Sequence, residues 1–212
     1  MSEASLGIEE RSMRIIESEI GTHDYTAPQW SIVRRVIHAT ADFDFAKPYR
    51  NGIIFSANAI ESAFEALKKR RYIVVDVDMV LSGINKKSAA KIGTSVICNI
   101  SNKDVLNISK NENKTRSKVA MRYSSKEVDG GIVVIGNAPT ALYELVNMIK
   151  EGVARPLLVV GIPVGFVSAE ESKLELSKTN IEFITNIGRK GGSPAASSII
   201  NALMLMYINN LD

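Results

Sequence analysis

The 212-residue sequence has only one cysteine and two histidines, and it has no long apolar run. The single cysteine, Cys98, excludes an internal disulfide and is typical of a reducing compartment. The longest apolar runs, such as 157–160, are far shorter than the ~18 residues needed to cross a bilayer, so we expect no membrane span. The opening residues lack the basic and apolar stretches of a signal peptide. These absences favour a cytoplasmic protein.

Neither sign of charge dominates the sequence. Lys and Arg total 26 against 23 Asp and Glu, which leaves a formal charge of +3. Proteins that bind nucleic acid usually carry a concentrated basic stripe, so we expect no nucleic-acid partner. The balance is compatible with an anionic small molecule held in a locally basic pocket. With 45% apolar and 23% charged residues, the composition is that of an ordinary globular protein, and we expect a single domain over residues 1–212.

Apolar periodicity predicts helices that alternate with short buried strands. The expected strands lie at 53–55, 72–77, 94–100, 131–135, 157–161 and 181–184. The expected helices lie at 8–20, from Pro28 onward with a cap at Thr26 or Ala27, and at 59–69, 115–123, 140–150, 169–178 and 194–207. This alternation indicates an α/β fold: a three-layer, doubly wound, mainly parallel sheet with helices on both faces and flavodoxin-like topology.

In such sheets ligands bind beyond the carboxyl ends of the strands. The segments that follow the predicted strands there are 76–78, 136–140, 161–165 and 188–193. The glycines of the chain concentrate in the same segments. We therefore expect the functional site to be built from them.

His38 is the best placed of the few candidate acid–base groups. If the helix from Pro28 reaches it, Arg34, His38 and Asp42 fall at i, i+4 and i+8 on one helix face. A histidine between a cation and a carboxylate can have its protonation state set by them, as a general acid or base requires. The alternative is a solvated helix face that ends in an ordinary salt bridge. His23 lies among loop-type residues and is expected to be exposed and without function.

Metal and nucleotide chemistry find no support in the sequence. Two histidines and one cysteine do not make a zinc site, and Cys98 falls inside a predicted buried strand, where a thiol is more often inert core than a nucleophile. We therefore expect no metal site. The phosphate-binding patterns G-x-x-x-x-G-K-S/T and G-x-G-x-x-G after a strand are absent, which leaves a nucleotide-dependent α/β enzyme without a fingerprint.

The loop at 188–193, with the sequence GRKGGS, is basic and rich in glycine, and it opens a helix. Glycines let the backbone approach a ligand, free N–H groups at a helix start favour an anion, and Arg189 and Lys190 add positive charge. The alternative is a helix start whose glycines serve packing. Arg116 stands at another predicted helix start, where it can offer a bidentate fork to a carboxylate or simply be solvated.

Several segments together resemble the precorrin-8X methylmutase family. The resemblance is carried by SIVRRVIHATADFDFA at 31–46, GNAPTAL at 136–142 and VGFVSAEESK at 164–173. It extends to further segments at 8–19, 77–84, 115–117, 188–193 and 201–203. Matches in this order cover essentially the whole chain.

The resemblance implies an activity and a set of site residues. Members of the family move a methyl group from C-11 to C-12 of a corrin precursor in cobalamin synthesis, which gives hydrogenobyrinate or its cobalt-containing counterpart cobyrinate. They have a doubly wound α/β fold and act as homodimers. His38 matches the family's active-site histidine, Ser12 matches its substrate-contacting serine in the first helix, and Arg116 matches the arginine of its Thr-Arg-Ser motif. The shift is intramolecular, so no redox cofactor and no catalytic metal are expected.

The residues make chemical sense beside this resemblance. The substrate would be an anionic tetrapyrrole, a large and mostly apolar macrocycle fringed with carboxylates. Arg116, Arg189 and Lys190 are candidates to bind those carboxylates, and a histidine is suited to act as a general acid toward the conjugated ring. Three further candidates to line the pocket or donate hydrogen bonds are Ser12, Thr40 and Asn137.

The alternative from another functional class is a corrinoid-binding or carrier protein with the same pocket and no turnover. His38 favours the enzyme, because a carrier has no need of a poised acid. The sequence itself does not decide whether the natural substrate carries cobalt.

Overall fold

The computed structural model describes residues 3–47 and 51–211. Met1 and Ser2, part of the opening segment considered above, lie outside that range. In the described residues six strands form one sheet: β1 (Ile53–Phe55), β2 (Ile73–Val75), β3 (Val96–Cys98), β4 (Ile132–Ile135), β5 (Leu158–Gly161) and β6 (Phe183–Asn186). The helices are α1 (Glu3–Ile20), α2 (Ala27–Thr40), α3 (Ala59–Lys68), α4 (Asp78–Gly83), α5 (Lys86–Ile92), α6 (Lys103–Asn111), α7 (Arg116–Tyr123), α8 (Ser125–Val128), α9 (Pro139–Lys150), α10 (Ala169–Ser177) and α11 (Ser193–Asn209), with a short 3-10 helix at Phe43–Ala46.

The strand order in the sheet is β1-β6-β5-β4-β2-β3. Strand β1 runs antiparallel to β6, and the other five strands are parallel. Without β1, the five parallel strands have the order of a flavodoxin-like sheet, so the predicted fold class is confirmed. The order reverses between β2 and β4. At such a switch point the connections leave the two strands in opposite directions and open a crevice at their carboxyl ends.

All six predicted strands are present, but the strand predicted at 94–100 is shorter than expected and differently placed. It is the edge strand β3, which pairs only with β2, and its residues, Cys98 among them, are half-buried. The expectation that this run is buried on both faces is wrong. A run of β-branched residues reports apolar packing, but it does not report how many neighbouring strands the run will have.

The predicted helices are present, and the structure adds four that the sequence pattern did not reveal: α4, α5, α6 and α8. Helix α2 begins as expected. The Thr26 side chain accepts the backbone N–H of Gln29, and the Gln29 side chain accepts the backbone N–H of Thr26. The missed helices have at most nine residues, too few to display a clear apolar period. Within the described ranges, no helix has the combination of length and apolar character that a bilayer span requires.

Two apolar layers enclose the sheet, because alternate residues of each strand face opposite sides. Val75, Val134 and Val160 pack with α2, α3 and α11 in one layer. Their neighbours Val74, Val133 and Val159 pack with α9 and α10 in the other. Helix α11 lies at the centre of the first layer, where it contacts α2, α3, α4 and α5.

The buried carboxylate of Asp76 links the end of β2 to the turn after β4 at the switch point. Asp76 follows β2, and its two oxygens accept the backbone N–H groups of Gly136 (3.2 Å), Asn137 (2.8 Å) and Ala138 (2.7 Å) in the turn after β4. Burial raises the pKa of Asp76, and the three N–H donors oppose that rise. A Cβ at Gly136 would lie 2.9 Å from Cα of Ser193, so this turn also packs against the start of α11.

We predict that Asp76→Ala lowers the free energy of unfolding by about 2–4 kcal/mol, because three N–H groups lose their acceptor and two of them belong to buried residues. Denaturant titration of both proteins measures the difference. Asp129→Ala is the matched control, since Asp129 is an exposed aspartate that accepts a single backbone N–H, from Arg155. A loss for Asp76→Ala no larger than that of the control would contradict the prediction.

Candidate active site

The loops that follow the parallel strands meet at the carboxyl edge of the sheet. Asp76 joins the end of β2 to the turn after β4, as described above. The N–H of Gly192 donates to the carbonyl of Ile162 (3.0 Å), and the N–H of Gly165 donates to the carbonyl of Arg189 (3.1 Å). The loops after β5 and β6 are therefore joined by backbone hydrogen bonds, at the edge where the sequence predicts the site.

His38 lies in the last turn of α2, with its side chain exposed. Among the described residues its imidazole has no hydrogen-bond partner. Ala39, the next residue, lines a hollow of about 340 Å³ between the end of α2, helix α4 and the start of α11. His38 itself does not line this hollow. The other residues that line it are Met79, Gly83, Ser193, Pro194, Ser197, Ser198 and Asn201.

The prediction that Arg34, His38 and Asp42 share one helix face is wrong. Helix α2 ends at Thr40, because Ala41 adopts a left-handed conformation with φ of 54°. Asp42 lies beyond that end and caps the following 3-10 helix. The Arg34 guanidinium pairs instead with Glu17 of α1 at 2.6 Å. Neither charged group reaches His38 through a described hydrogen bond.

The end of α2 is tied to the loop at 187–193 by Lys190. Its Nζ binds the carboxylates of Asp42 (2.7 Å) and Asp44 (2.8 Å). Hydrogen bonds from Lys190 and Lys47 hold the pKa of Asp44 at about 2, and the bond to Asp42 contributes most to raising the pKa of Lys190. The ammonium predicted to bind substrate thus already faces two carboxylates, and its contact with substrate stays a prediction.

Thr40 and Ser12 both use their hydroxyl groups within their own helices. The Thr40 hydroxyl donates to the carbonyl of Val36 (2.7 Å) and accepts the N–H of Asp42 (3.3 Å), so it helps to end α2 next to His38. Ser12 donates to the carbonyl of Ile8 (2.9 Å). No described hydrogen bond joins Ser12 to His38.

Arg116 and Asn137 belong to two segments that a side-chain hydrogen bond joins. Arg116 is the exposed first residue of α7, and Asn137 is exposed in the turn that Asp76 holds. The hydroxyls of Ser117 and Thr140 are 2.7 Å apart, which links the start of α7 to the start of α9. The segments that carry Arg116 and Asn137 are therefore joined to each other.

A buried lysine that sequence reasoning assigned no role lies beneath the loop at 187–193. Lys173 of α10 is 1% exposed, and its Nζ donates to the carbonyls of Gly188 (2.9 Å) and Lys190 (2.6 Å). The side chain of Asn186 donates to the same Lys190 carbonyl at 2.9 Å. Burial lowers the pKa of Lys173 to about 7, an effect that nearby Glu170 opposes.

The sequence did contain a signal for this lysine. Helix α10 buries Ala169, Ser172, Lys173 and Leu176, which are spaced as i, i+3, i+4 and i+7. Lys173 therefore occupies a position on the buried stripe of the helix, where a charged side chain is unusual unless it has partners. A lysine at that position predicts buried acceptors above it.

On its exposed side the carboxyl edge presents apolar surface next to a cation. Phe166 and Val167 are 84% and 81% exposed in the loop after β5. The Arg189 guanidinium lies 5.5 Å from the centre of the Phe166 ring, within the range of a cation–π contact. An exposed ring beside a guanidinium suits a ligand that has an apolar face and peripheral carboxylates.

His23 is not exposed as predicted. Its ring is half-buried and stacks on Trp30, with ring centroids 4.1 Å apart. The stacking partner lies seven residues further along, in the first turns of α2. The composition of the loop around His23 does not include it and so could not predict the contact. His23 is therefore near the opposite end of α2 from His38.

Metal binding and thiol chemistry have no support in the described part of the chain. There, no three His, Cys, Asp or Glu side chains are placed to hold a metal ion. Burial raises the pKa of Cys98 to about 12, so the thiolate that a nucleophile needs is strongly disfavoured.

Comparisons with known proteins give one consistent result. A family model described as precorrin-8X methylmutase matches residues 7–206. A cobalt-precorrin-8 methylmutase of Priestia megaterium is 47% identical over 199 residues, which cover 94% of this chain and 87% of that protein. One from Leptospira interrogans is 44% identical, with 94% and 92% covered. The crystal structure of precorrin-8x methyl mutase from Thermus thermophilus matches with a TM-score of 0.87 at 36% identity, covering 96% of this chain and 98% of that one.

The buried lysine generates a prediction about pH. Its pKa falls from 10.5 to about 7 on folding, so between these values the unfolded chain holds a proton that the folded chain has released. The free energy of unfolding therefore rises with pH in this window, by at most about 1.4 kcal/mol per pH unit. Lys173→Met lacks this contribution, so denaturant titrations should show the wild type gaining stability on the variant between about pH 7 and about pH 9.

The control for this prediction is Lys178→Met, which makes the same chemical change at an exposed lysine just after α10. Pairing with Glu175 raises the pKa of Lys178, so it stays protonated in both states across the window. Its difference from the wild type should not change with pH. An equally flat difference for Lys173→Met would refute the assignment of a titrating buried lysine.

Proposed function

The chain belongs to the precorrin-8X methylmutase family, isomerases of cobalamin biosynthesis, and from that premise we propose that it moves a methyl group from C-11 to C-12 of a corrin precursor. The observation that carries the proposal is the match of the family over residues 7–206, which includes all the loops at the carboxyl edge of the sheet. The exposed apolar side chains beside Arg189 at that edge support a large macrocyclic ligand with carboxylates.

The substrate in this proposal carries cobalt. The relatives that are 47% and 44% identical are both named cobalt-precorrin-8 methylmutases. We therefore take cobalt-precorrin-8 as the substrate and cobyrinate as the product. The cobalt belongs to the substrate and is not a cofactor of the protein.

The reaction is an intramolecular shift. The bond between the methyl carbon and C-11 breaks while a bond from that carbon to C-12 forms, and the double bonds of the adjoining ring system rearrange. No group leaves, and nothing is oxidised or reduced overall. The protein therefore has to bind the macrocycle, exclude water and polarise the conjugated system, and it has no need of a nucleophile.

His38 is the proposed general acid. It donates a proton or a hydrogen bond to the conjugated system near ring C and recovers the proton after the shift, so no net proton is consumed. Its exposed position at the end of α2, where the imidazole has no hydrogen-bond partner among the described residues, leaves the ring available to a ligand. The hydroxyl of Thr40 contributes by fixing the end of the helix that carries His38.

The remaining candidates bind the substrate in this proposal. Arg116 and Arg189 are exposed guanidiniums suited to bidentate binding of carboxylates. Lys190 adds positive charge that Asp42 and Asp44 partly neutralise. The other two, Asn137 from the turn after β4 and Ser12 from α1, donate hydrogen bonds to the macrocycle.

We also propose that the chain works as a homodimer in the cytoplasm, as its family resemblance implies. The exposed Phe166 and Val167 leave apolar surface at the carboxyl edge for substrate and partner to cover. Sedimentation equilibrium should then give twice the 23.2 kDa mass of one chain. A mass of one chain at micromolar concentration would contradict this part of the proposal.

The central prediction concerns His38→Ala. We expect the rate of conversion of cobalt-precorrin-8 to fall by about 10²–10⁴-fold, the usual contribution of a general acid. The change of absorption spectrum follows the reaction anaerobically, and NMR of a metal-free substrate locates the methyl group. Binding of the product should be retained, since the variant leaves the candidate carboxylate contacts in place.

The control is His23→Phe, which changes the other histidine but keeps a ring to stack on Trp30. It should turn over like the wild type. Normal turnover by His38→Ala would remove the general-acid role. Tight binding without conversion by the wild type, with metal-free and cobalt substrates both tried, would identify a corrinoid carrier instead of an enzyme.

A further inference from the structure

We propose that Lys173 is a positioning residue for the substrate's carboxylates: it binds the loop at 187–193 from inside and so turns backbone N–H groups of that loop outward to the ligand. The inference rests on the proposed function, because the ligand is its anionic macrocycle. It assigns a role to a buried residue that the chemistry described above does not use.

The orientation follows from the planarity of the peptide group. In a trans peptide the carbonyl of one residue and the N–H of the next point in opposite directions, and the described chain has no cis bonds. Because the Gly188 carbonyl points at Nζ of Lys173, the N–H of Arg189 points away from it. In the same way the Lys190 carbonyl, which also faces Nζ, directs the N–H of Gly191 away.

These two N–H groups are free to bind a ligand. Neither the Arg189 nor the Gly191 N–H has an acceptor among the described residues, whereas the next one along, of Gly192, is taken by the Ile162 carbonyl. Two outward N–H groups near the start of α11, flanked by the Arg189 guanidinium, provide what a carboxylate needs. The Gly136–Ala138 turn is the opposite case, since Asp76 binds its N–H groups from inside.

The rest of the loop holds this arrangement in place. A Cβ at Gly191 would lie 2.2 Å from the carbonyl oxygen of Ile162, so only glycine fits where the loops after β5 and β6 meet. Asn186 donates to the Lys190 carbonyl from the end of β6, and the Lys190 side chain is held by Asp42 and Asp44. What remains for Lys173 is to bind both inward carbonyls at once, which a side chain with a single N–H donor cannot do.

The charge of Lys173 adds to this geometry. A lysine ammonium buried beneath the loop is screened less than one in water, so it attracts an anion bound above it. The charged group that acts on it is Glu170 of its own helix, whereas the Lys190 ammonium in the loop pairs with Asp42 and Asp44. Whether it is protonated or neutral, the Lys173 amino group has the two N–H donors needed to bind the Gly188 and Lys190 carbonyls.

The test measures steady-state conversion of cobalt-precorrin-8 by Lys173→Met, Arg189→Ala and the double variant. We expect Lys173→Met to raise KM about tenfold or more while kcat changes less, because ground-state binding of carboxylates is lost. In the double variant the KM effects should not multiply, since Arg189 loses its placement once the loop is released. Lys178→Met, the exposed neighbour, should keep the wild-type KM and kcat.

Two outcomes separate this proposal from the proposed function. If the wild type does not convert the substrate, the proposed function fails. If the wild type converts it but Lys173→Met keeps the wild-type KM, or if the two KM effects multiply independently, the lysine is only structural and this proposal alone is overturned. A lowered melting temperature by itself does not support the proposal, because any buried lysine would give it.

A second measurement uses the wild type and does not depend on a variant that folds. Hydrogenobyrinate, the metal-free counterpart of the proposed product, is added to ¹⁵N-labelled protein, and the amide signals of the edge loops are followed by NMR. The Arg189 and Gly191 amides should shift strongly on binding. The Gly130 and Arg155 amides, which precede β4 and β5 at the opposite edge of the sheet and already have acceptors, are internal controls and should shift little. Binding of the product without a shift at Arg189 and Gly191 would overturn the proposal.

Discussion

The carboxyl edge of this sheet is organised by the need to give partners to backbone groups at the ends of buried strands. Two buried side chains of opposite charge meet that need. Asp76 accepts three N–H groups from the turn after β4, and Lys173 donates to two carbonyls of the loop after β6. Each is costly to bury unless it is fully bonded. Each of the two loops therefore holds the conformation that gives the buried side chain, Asp76 or Lys173, its hydrogen bonds.

Local patterns in the sequence were enough to predict most of the fold. The β-branched runs predicted the strands, and the alternation of strands with helices predicted a parallel sheet with the flavodoxin-like order. Local patterns do not give the position of each strand in the sheet. The run at 94–100 therefore predicts a buried strand, whereas β3 lies at the edge. The helices α4, α5, α6 and α8 were missed because short helices are stabilised by tertiary packing more than by a pattern of their own.

The site was harder to predict because its charged groups are paired across the chain. Asp42 was expected to face His38 four residues away, yet its partner is Lys190, 148 residues further on. No rule based on the spacing of residues within one helix predicts such a contact. Lys173 did carry a local signal, since it lies on the buried stripe of α10. Its partners, however, are backbone carbonyls, which every residue has, so the sequence alone cannot identify them.

Helix α11 bears on how the chain folds during synthesis. It is the last described helix, yet it lies at the centre of one apolar layer and contacts α2, α3, α4 and α5 from the first half of the chain. While the ribosome is still making residues 193–209, the parts of those earlier helices that α11 covers have no helix to pack against. This layer is therefore complete only after α11 has been made, so part of its apolar surface stays exposed until then. A chain cut short before α11 would lack the helix at the centre of this layer.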